Sequence, residues 1–315
     1  MLKFHIDTDI GGDIDDLCAL AMVLNWPDVE LLAVTTNTDD HGRRAGYARY
    51  AMDLAGREDI PVGAGADVSS NSYRWNGQPI RPGLPDETVY WPKPIPPAPT
   101  PIKYALDLIE SSIEQGAIIA AIGAYTNLAL LEKRSPGILS RANLYLMGGY
   151  VFPPRKGYPP WGNDMDWNVQ CDVQSAYFVI ERSNPTLIPL TVTVETSLRR
   201  AYLETLRRSG PLAQLIARQA EAFASDENNR PATLYNQTWE GLPEDTINFQ
   251  HDPLACAIAL GWRDGVEISE ISLRSEIKVE LLYQSIVNNG KPTRVVTHVD
   301  GEKFNTFWLA TVTRK

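Results

Sequence analysis

Apolar positions along this chain switch between two rhythms. Residues 3–6, Val29–Thr36, 60–65, 117–122 and Asn143–Met147 are short, mostly apolar runs with the length of buried strands. Between them, 17–26 reads as an apolar helix and 43–55 as a helix with Tyr47, Tyr50, Ala51 and Leu54 on one face and Gly56 as its stop. Further helices are expected at 102–112 and 127–133. Strands that alternate with helices imply a mainly parallel sheet covered on both faces. The C-terminal third predicts a helix opening at His251, a strand around 276–282, another at 295–299 and a partly amphipathic segment over 303–312. No repeat and no linker divides the chain, so residues 1–315 read as one α/β domain.

Three stretches interrupt the alternation. Residues 69–100 are rich in proline, with Trp75, Tyr90 and Trp91 interleaved. Residues 151–167 carry Pro153, Pro154, Pro159, Pro160, Trp161 and Trp167. Residues 224–249 are polar, with Tyr235 and Trp239. Long ordered loops in compact domains commonly bear function, and the aromatic content favours a binding or lid role.

The strongest chemical signal follows the first strand. Five aspartates fall within ten residues, as Asp7-Thr8-Asp9-Ile10-Gly11-Gly12-Asp13-Ile14-Asp15-Asp16, with no lysine or arginine inside the run. Two like charges 4 Å apart repel by roughly 1 kcal/mol in water and about 4 kcal/mol at a protein-like dielectric. A solvated acidic loop is the plain alternative, but the glycines and the apolar run from Leu17 to Leu24 place the cluster at a strand–loop–helix junction. Hard divalent cations such as Ca²⁺ and Mg²⁺ prefer carboxylate oxygens and would relieve the repulsion.

Composition narrows the partners. The 315 residues carry a formal charge of −10, with 43% hydrophobic and 22% charged residues, which argues against nucleic acid or an anionic membrane as the main partner. Lys3 and Asp7 leave no room for an apolar leader, and no run approaches membrane-span length. Cys18, Cys171 and Cys256 are odd in number and lack a CxxC pair, which fits buried thiols in a reducing compartment. The expectation is a cytoplasmic enzyme.

Ligands of open α/β sheets bind at the carboxyl ends of the strands. Those ends read Asp7–Asp9, Thr36-Asn37-Thr38-Asp39-Asp40, Gly123-Ala124-Tyr125-Thr126-Asn127 and Met147-Gly148-Gly149-Tyr150. A loop adds Asn163-Asp164-Met165-Asp166-Trp167-Asn168, and His251-Asp252-Pro253 opens a helix with Asp252 as its expected N-cap.

These segments resemble, in order, the inosine–uridine-preferring nucleoside hydrolases. The matching residues are Asp7-Thr8-Asp9…Gly11…Asp15-Asp16, Leu32–Thr36, Asp59-Ile60-Pro61-Val62, Ile122–Ala129, Met147-Gly148-Gly149, Asp166-Trp167-Asn168 and His251–Ala255, spread over roughly 3–310. The resemblance implies a Rossmann-like fold with a mainly parallel central sheet flanked by helices and extra helices and strands at the C-terminal end. It implies Ca²⁺-dependent hydrolysis of a nucleoside N-glycosidic bond, for purine or pyrimidine salvage, by a homodimer or homotetramer. Matching positions make Asp9, Asp16, Asp252 and the Thr126 carbonyl the implied Ca²⁺ ligands, with Asp9 also the general base. Asp15, Asp166 and Asn168 would contact ribose. His251 is the candidate acid for the leaving base, with His41 an alternative, while His5 reads as a packed core residue. Trp161, Trp167, Tyr235 and Trp239 are candidates to stack on a base or to pack the core or a lid.

Several positions depart from that family pattern. Gly12-Asp13-Ile14 stands where one residue usually separates the glycine from the paired aspartates, so Asp13 competes with Asp15 for the sugar. Asp40 replaces an asparagine near the sugar, Asp166 a glutamate, and Asn163 lies out of register with a ribose-contacting asparagine. Residues 83–87 lack a histidine–glycine segment. The metal site is expected to be retained and sugar and base recognition altered. Two other classes compete. A Mg²⁺ phosphatase of haloacid-dehalogenase type would need a downstream lysine that is not evident. A sugar- or nucleoside-binding protein on the same scaffold would turn nothing over. An EF-hand fails because Cys18 stands where the bidentate glutamate belongs.

Overall fold

The computed structural model describes residues 1–67, 73–75, 78–80, 90–225 and 239–314. The first half runs β1 (Leu2–Thr8), α1 (Asp15–Leu24), β2 (Val29–Thr36), α2 (Arg43–Leu54), β3 (Val62–Ala64), β4 (Tyr73–Trp75), β5 (Gln78–Ile80), α3 (Ile102–Glu114), β6 (Ile118–Ala121), α4 (Thr126–Arg134) and β7 (Asn143–Met147). The second half adds α5 (Trp167–Gln170), α6 (Val173–Arg182), β8 (Thr186–Ile188), α7 (Leu190–Thr193), β9 (Leu198–Arg199), α8 (Leu203–Arg207), α9 (Pro211–Ser225), β10 (Thr246–Asn248), α10 (His251–Ala259), β11 (Val266–Lys278), β12 (Leu281–Ile286), β13 (Lys291–Val299) and α11 (Gly301–Val312).

Among the described residues nine strands form one sheet in the order β12-β11-β13-β8-β7-β6-β1-β2-β3. From β13 to β3 every pairing is parallel, and only β11 runs against its neighbours. β1 lies inside the sheet, hydrogen-bonded to β2 and β6, and is buried from Phe4 onward. A strand covered on both faces has no solvent side, which is why its sequence does not alternate.

Two polar residues of β1 are satisfied internally. His5, fully buried as expected, contacts Ser112 Oγ through Nδ1 at 2.9 Å and Thr35 Oγ1 through Nε2 at 3.0 Å. Thr35 already donates its hydroxyl to Asp7 Oδ1 at 2.6 Å, so His5 is the neutral Nε2–H tautomer. Asp7 also accepts from Asn37 Nδ2 (3.2 Å) and Asn127 Nδ2 (2.8 Å). Side chains from β2, the β2–α2 loop and α4 therefore hold Asp7. The amides of the loop after β1 bond instead to Thr8 Oγ1 and Asp13 Oδ1, through Ile10 (3.1 Å) and Ile14 (2.6 Å).

Helix α1 is buried from Asp15 to Val23 and packs against α10 and α11. Trp308 of α11 is fully buried and donates its indole N–H to Cys18 O at 3.2 Å. Burying a tryptophan removes roughly 200 Å² from water, a gross gain of about 5 kcal/mol. This helix sandwich explains why α1 reads as apolar all round rather than amphipathic.

Two expectations are corrected. The strand expected around 276–282 is a hairpin, because Val279 (φ 49°) and Glu280 (φ 63°) turn the chain between β11 and β12. No glycine, proline or asparagine marks that turn. Asp252 is not the N-cap of its helix. Gln250 holds that place, and His251 and Asp252 lie in the first turn of α10.

Candidate active site

The chain leaves β1 toward β2 and β3 on one side and returns to β6, β7 and β8 on the other. Loops after β1 and β6 thus diverge, which opens a crevice at their carboxyl ends. Gly123, after β6, allows close approach there. A Cβ on it would lie 2.6 Å from Asn37 Oδ1 and 2.8 Å from the Asp9 amide. Gly11 adopts φ +135°, and a Cβ on it would strike the Tyr47 ring at 2.5 Å. Trp91 stacks on Tyr47 (4.3 Å, 11°) and donates its indole N–H to Gly11 O at 3.2 Å. The aromatic content near residue 91 therefore supports the acidic loop from behind.

Asp15, Asp16 and Asp252 are buried and each offers a carboxylate oxygen within 4.8 Å of the others. Asp16 accepts the Thr8 hydroxyl, and Asp15 Oδ2 accepts the Asp252 amide at 3.3 Å. Burial pushes all three carboxyls well above the usual carboxylate range, and repulsion from neighbouring carboxylates, Asp9 and Asp13 among them, adds to it. Asp9 is raised chiefly by burial, against opposition from the Arg44 guanidinium and from the Trp167 indole, which donates to Asp9 Oδ2 at 3.1 Å. The triad is an oxygen-only donor set in need of positive charge, and it fits a hard divalent cation.

Asp13 is exposed at the end of the acidic loop. Asn248 of β10 donates to it. Half-buried His251 contacts Thr193 Oγ1 through Nδ1 at 2.7 Å. Thr193 donates to Leu190 O at 3.1 Å, so His251 Nδ1 carries the proton and Nε2 is an acceptor in the neutral ring. Burial lowers its pKa to about 3.

The remaining expected residues divide. Asp166 caps α5, accepting from Gly149 N (2.5 Å) and Val169 N (3.2 Å), and burial raises it to about 6. Asn168 Nδ2 bridges the ends of β6 and β7 through Ile122 O (3.1 Å) and Met147 O (3.2 Å). Thr126 opens α4 at the same rim, its hydroxyl held by Asp172 at 2.8 Å. Asn163 bonds Leu282 O of β12 at 3.0 Å, and Asp40 pairs with the exposed His41 at 3.5 Å, so their observed partners lie outside the carboxylate cluster. Trp161 is buried, edge-on to Phe249 at 5.1 Å, as core rather than as an open stacking surface. Trp239 is half-buried, while Tyr235 and residues 83–87 lie outside the described residues.

Arg44, Asn248, Thr8 and Thr193 were not anticipated. The acidic run contains no base, but α2 brings Arg44 against it, donating to Ile10 O (3.3 Å) and Thr38 O (2.9 Å). Nothing in the local sequence marks a contact that spans 34 positions.

Known proteins resemble this chain in sequence and in fold. The chain is 26% identical over 334 residues to the pyrimidine-specific ribonucleoside hydrolase RihA of Klebsiella pneumoniae, covering 100% of this chain and 95% of that one. It is 27% identical over 308 residues to the inosine-uridine preferring nucleoside hydrolase of Leishmania major, covering 95% and 87%. An uncharacterised Schizosaccharomyces pombe protein is 30% identical over 234 residues, covering 70% and 73%. A solved plant nucleoside hydrolase superposes with a TM-score of 0.78 at 19% identity (100% and 99% covered), and a purine-preferring ribonucleoside hydrolase from Gardnerella vaginalis with 0.75 at 20% (99% and 98%), likenesses of fold. The sequence pattern of the inosine-uridine preferring nucleoside hydrolases matches residues 4–306. The chain belongs to that family, whose members are hydrolases acting on N-glycosyl bonds.

Proposed function

We propose that this protein hydrolyses the N-glycosidic bond of a ribonucleoside, or a closely related N-glycoside, to free base and sugar, with Ca²⁺ as its resident ion. The observation that carries the proposal is the convergence of Asp15, Asp16 and Asp252 beside Asp9 at the crevice between β1 and β6. Asp16 and Asp252 are the central ligands, joined by Asp9 and the Thr126 carbonyl at the same rim. When bound, the cation lowers the pKa of a water molecule and orients it.

The chain's own groups supply the rest. Trp167 fixes one oxygen of Asp9 and leaves the other to take a proton from the attacking water. Breaking the bond places positive charge on the sugar, as in O-glycoside hydrolysis, and the anionic floor stabilises it. The Asp15 oxygen not engaged by the Asp252 amide, the Asn168 carbonyl oxygen and the exposed Asp13 are acceptors for sugar hydroxyls. His251, next to Asp252, is neutral in the free protein with Nε2 unprotonated, and it serves as the acid for the departing base only after Nε2 has gained a proton in the substrate-bound site. Relatives' names range from pyrimidine-specific to purine-preferring and so leave the base open. Among the described residues no helix is long and apolar enough to cross a membrane. We propose a cytoplasmic homodimer or homotetramer.

The test is release of reducing sugar from a panel of ribonucleosides and p-nitrophenyl riboside, with and without a Ca²⁺ chelator, for the wild type and Asp9→Asn. Chelator-sensitive release that Asp9→Asn reduces by about 10³-fold is expected. No release from any member while Ca²⁺ stays bound would overturn the proposal in favour of a binding-only protein.

A further inference from the structure

The carboxylates of the cleft have a resident positive charge that does not touch them. Arg44 is 4% exposed, and its backbone N–H is fixed by Asp39 Oδ1 at 2.8 Å. Its guanidinium is spent on main-chain carbonyls, Nε on Thr38 and Nη1 on Ile10. Among the described residues it makes no direct ion pair. Ile10 adjoins Asp9, so the charge sits directly under the acidic loop. Its field reaches Asp9 and Asp16, favouring the ionised form of each against burial and neighbouring carboxylates.

That indirect placement has a chemical consequence. An arginine fork paired to Asp16 or Asp252 would occupy the carboxylate lone pairs that a cation needs. By bonding the loop's carbonyl, Arg44 lowers the repulsion among the aspartates and leaves their oxygens available. A lysine in its place would keep the charge but not the planar two-carbonyl geometry.

We infer that Arg44 is a built-in counter-cation of the carboxylate cluster, which keeps the acidic loop folded when no metal is bound and so makes the fold less dependent on the metal. This rests on the proposed divalent-cation site. Arg44 is a positioning residue and contacts no reacting atom.

Thermal unfolding of Arg44→Met, Arg44→Lys and wild-type protein, each with excess chelator and with saturating Ca²⁺, tests the inference without an activity assay. In chelator, Arg44→Met should melt roughly 3–8 °C below wild type. Saturating Ca²⁺ should recover most of that difference, so the Ca²⁺-induced rise is larger in Arg44→Met than in wild type. Arg44→Lys should show a rise close to that of wild type. Equal rises in Arg44→Met and wild type would overturn the inference, as would an Arg44→Lys protein that behaves like Arg44→Met, since charge would then not be the cause. If Arg44→Met does not fold even with Ca²⁺, the lysine variant decides on the same criterion. No Ca²⁺-induced rise in wild type, with no binding by calorimetry, would instead remove the cation site itself.

Discussion

The indole N–H of Trp167 donates to Asp9 Oδ2 at 3.1 Å, joining two residues 158 positions apart in the chain. Trp167 opens α5 directly after its cap Asp166, so the cap that starts the short helix also aims the indole at the proposed base. Trp167→Phe removes the donor and keeps most of the ring. A hydrogen bond to a charged group is worth about 1.5 kcal/mol or more, so kcat should fall roughly tenfold. KM should change little, which steady-state kinetics would show. A change confined to KM would place Trp167 on the substrate instead.

Asp252→Asn removes one carboxylate from the triad without changing its size. Metal content after dialysis should drop, and Ca²⁺ should no longer raise the melting temperature. In chelator the variant should melt no lower than wild type, because a repelling charge has gone. Elemental analysis and thermal melts read both outcomes, and undiminished Ca²⁺ after dialysis would exclude Asp252 as a ligand.

His251→Ala should impair natural nucleosides more than p-nitrophenyl riboside, whose leaving group departs without a proton. A difference of about 10²-fold between the two substrates fits a general acid. Equal losses would mean that His251 serves the site through its packing on Phe249 and its contact with Thr193 rather than as an acid.

His5 gives acid sensitivity of a different origin. Burial lowers its pKa from 6.5 to about 3. The unfolded chain therefore takes up a proton that the folded chain refuses. This contribution to stability is complete above pH 6.5 and is lost as the pH falls from 6.5 toward 3. At pH 4.5 the loss is about 2–3 kcal/mol. Denaturant unfolding of wild type and His5→Gln should show a pH dependence flatter by about one proton in the variant over that interval. Parallel curves would show that His5 titrates normally in the fold.

Much of this architecture was legible in sequence because buried parallel strands leave a local mark. Val29–Thr36 and Asn143–Met147 have the bounds expected of them, and the acidic run points to a cation before any coordinates are known. Asp16 and Asp252 were paired by resemblance and do converge. What could not be read is set by long-range contact. Arg44 looks like an ordinary residue of a polar helix start, and only the packing of α2 brings it to Ile10. Asp166 and Asn168 were expected at the sugar, but most of their hydrogen-bonding capacity holds α5 and the ends of β6 and β7. The β11–β12 turn was missed because two residues with side chains, Val279 and Glu280, adopt positive φ there where glycine is the usual signal.

The position of β1 also bears on how still the site is. Its amides are locked between two neighbouring strands and covered by buried helices, so they should exchange with solvent only when the whole molecule opens. Asp7 lies within that strand and Asp9 one residue beyond it. Asp9 is thus mounted directly on a strand buried between two others, and its position should be set as the sheet folds rather than assembled when a substrate arrives. Substitutions that loosen β1 should therefore weaken cation affinity and melting temperature together.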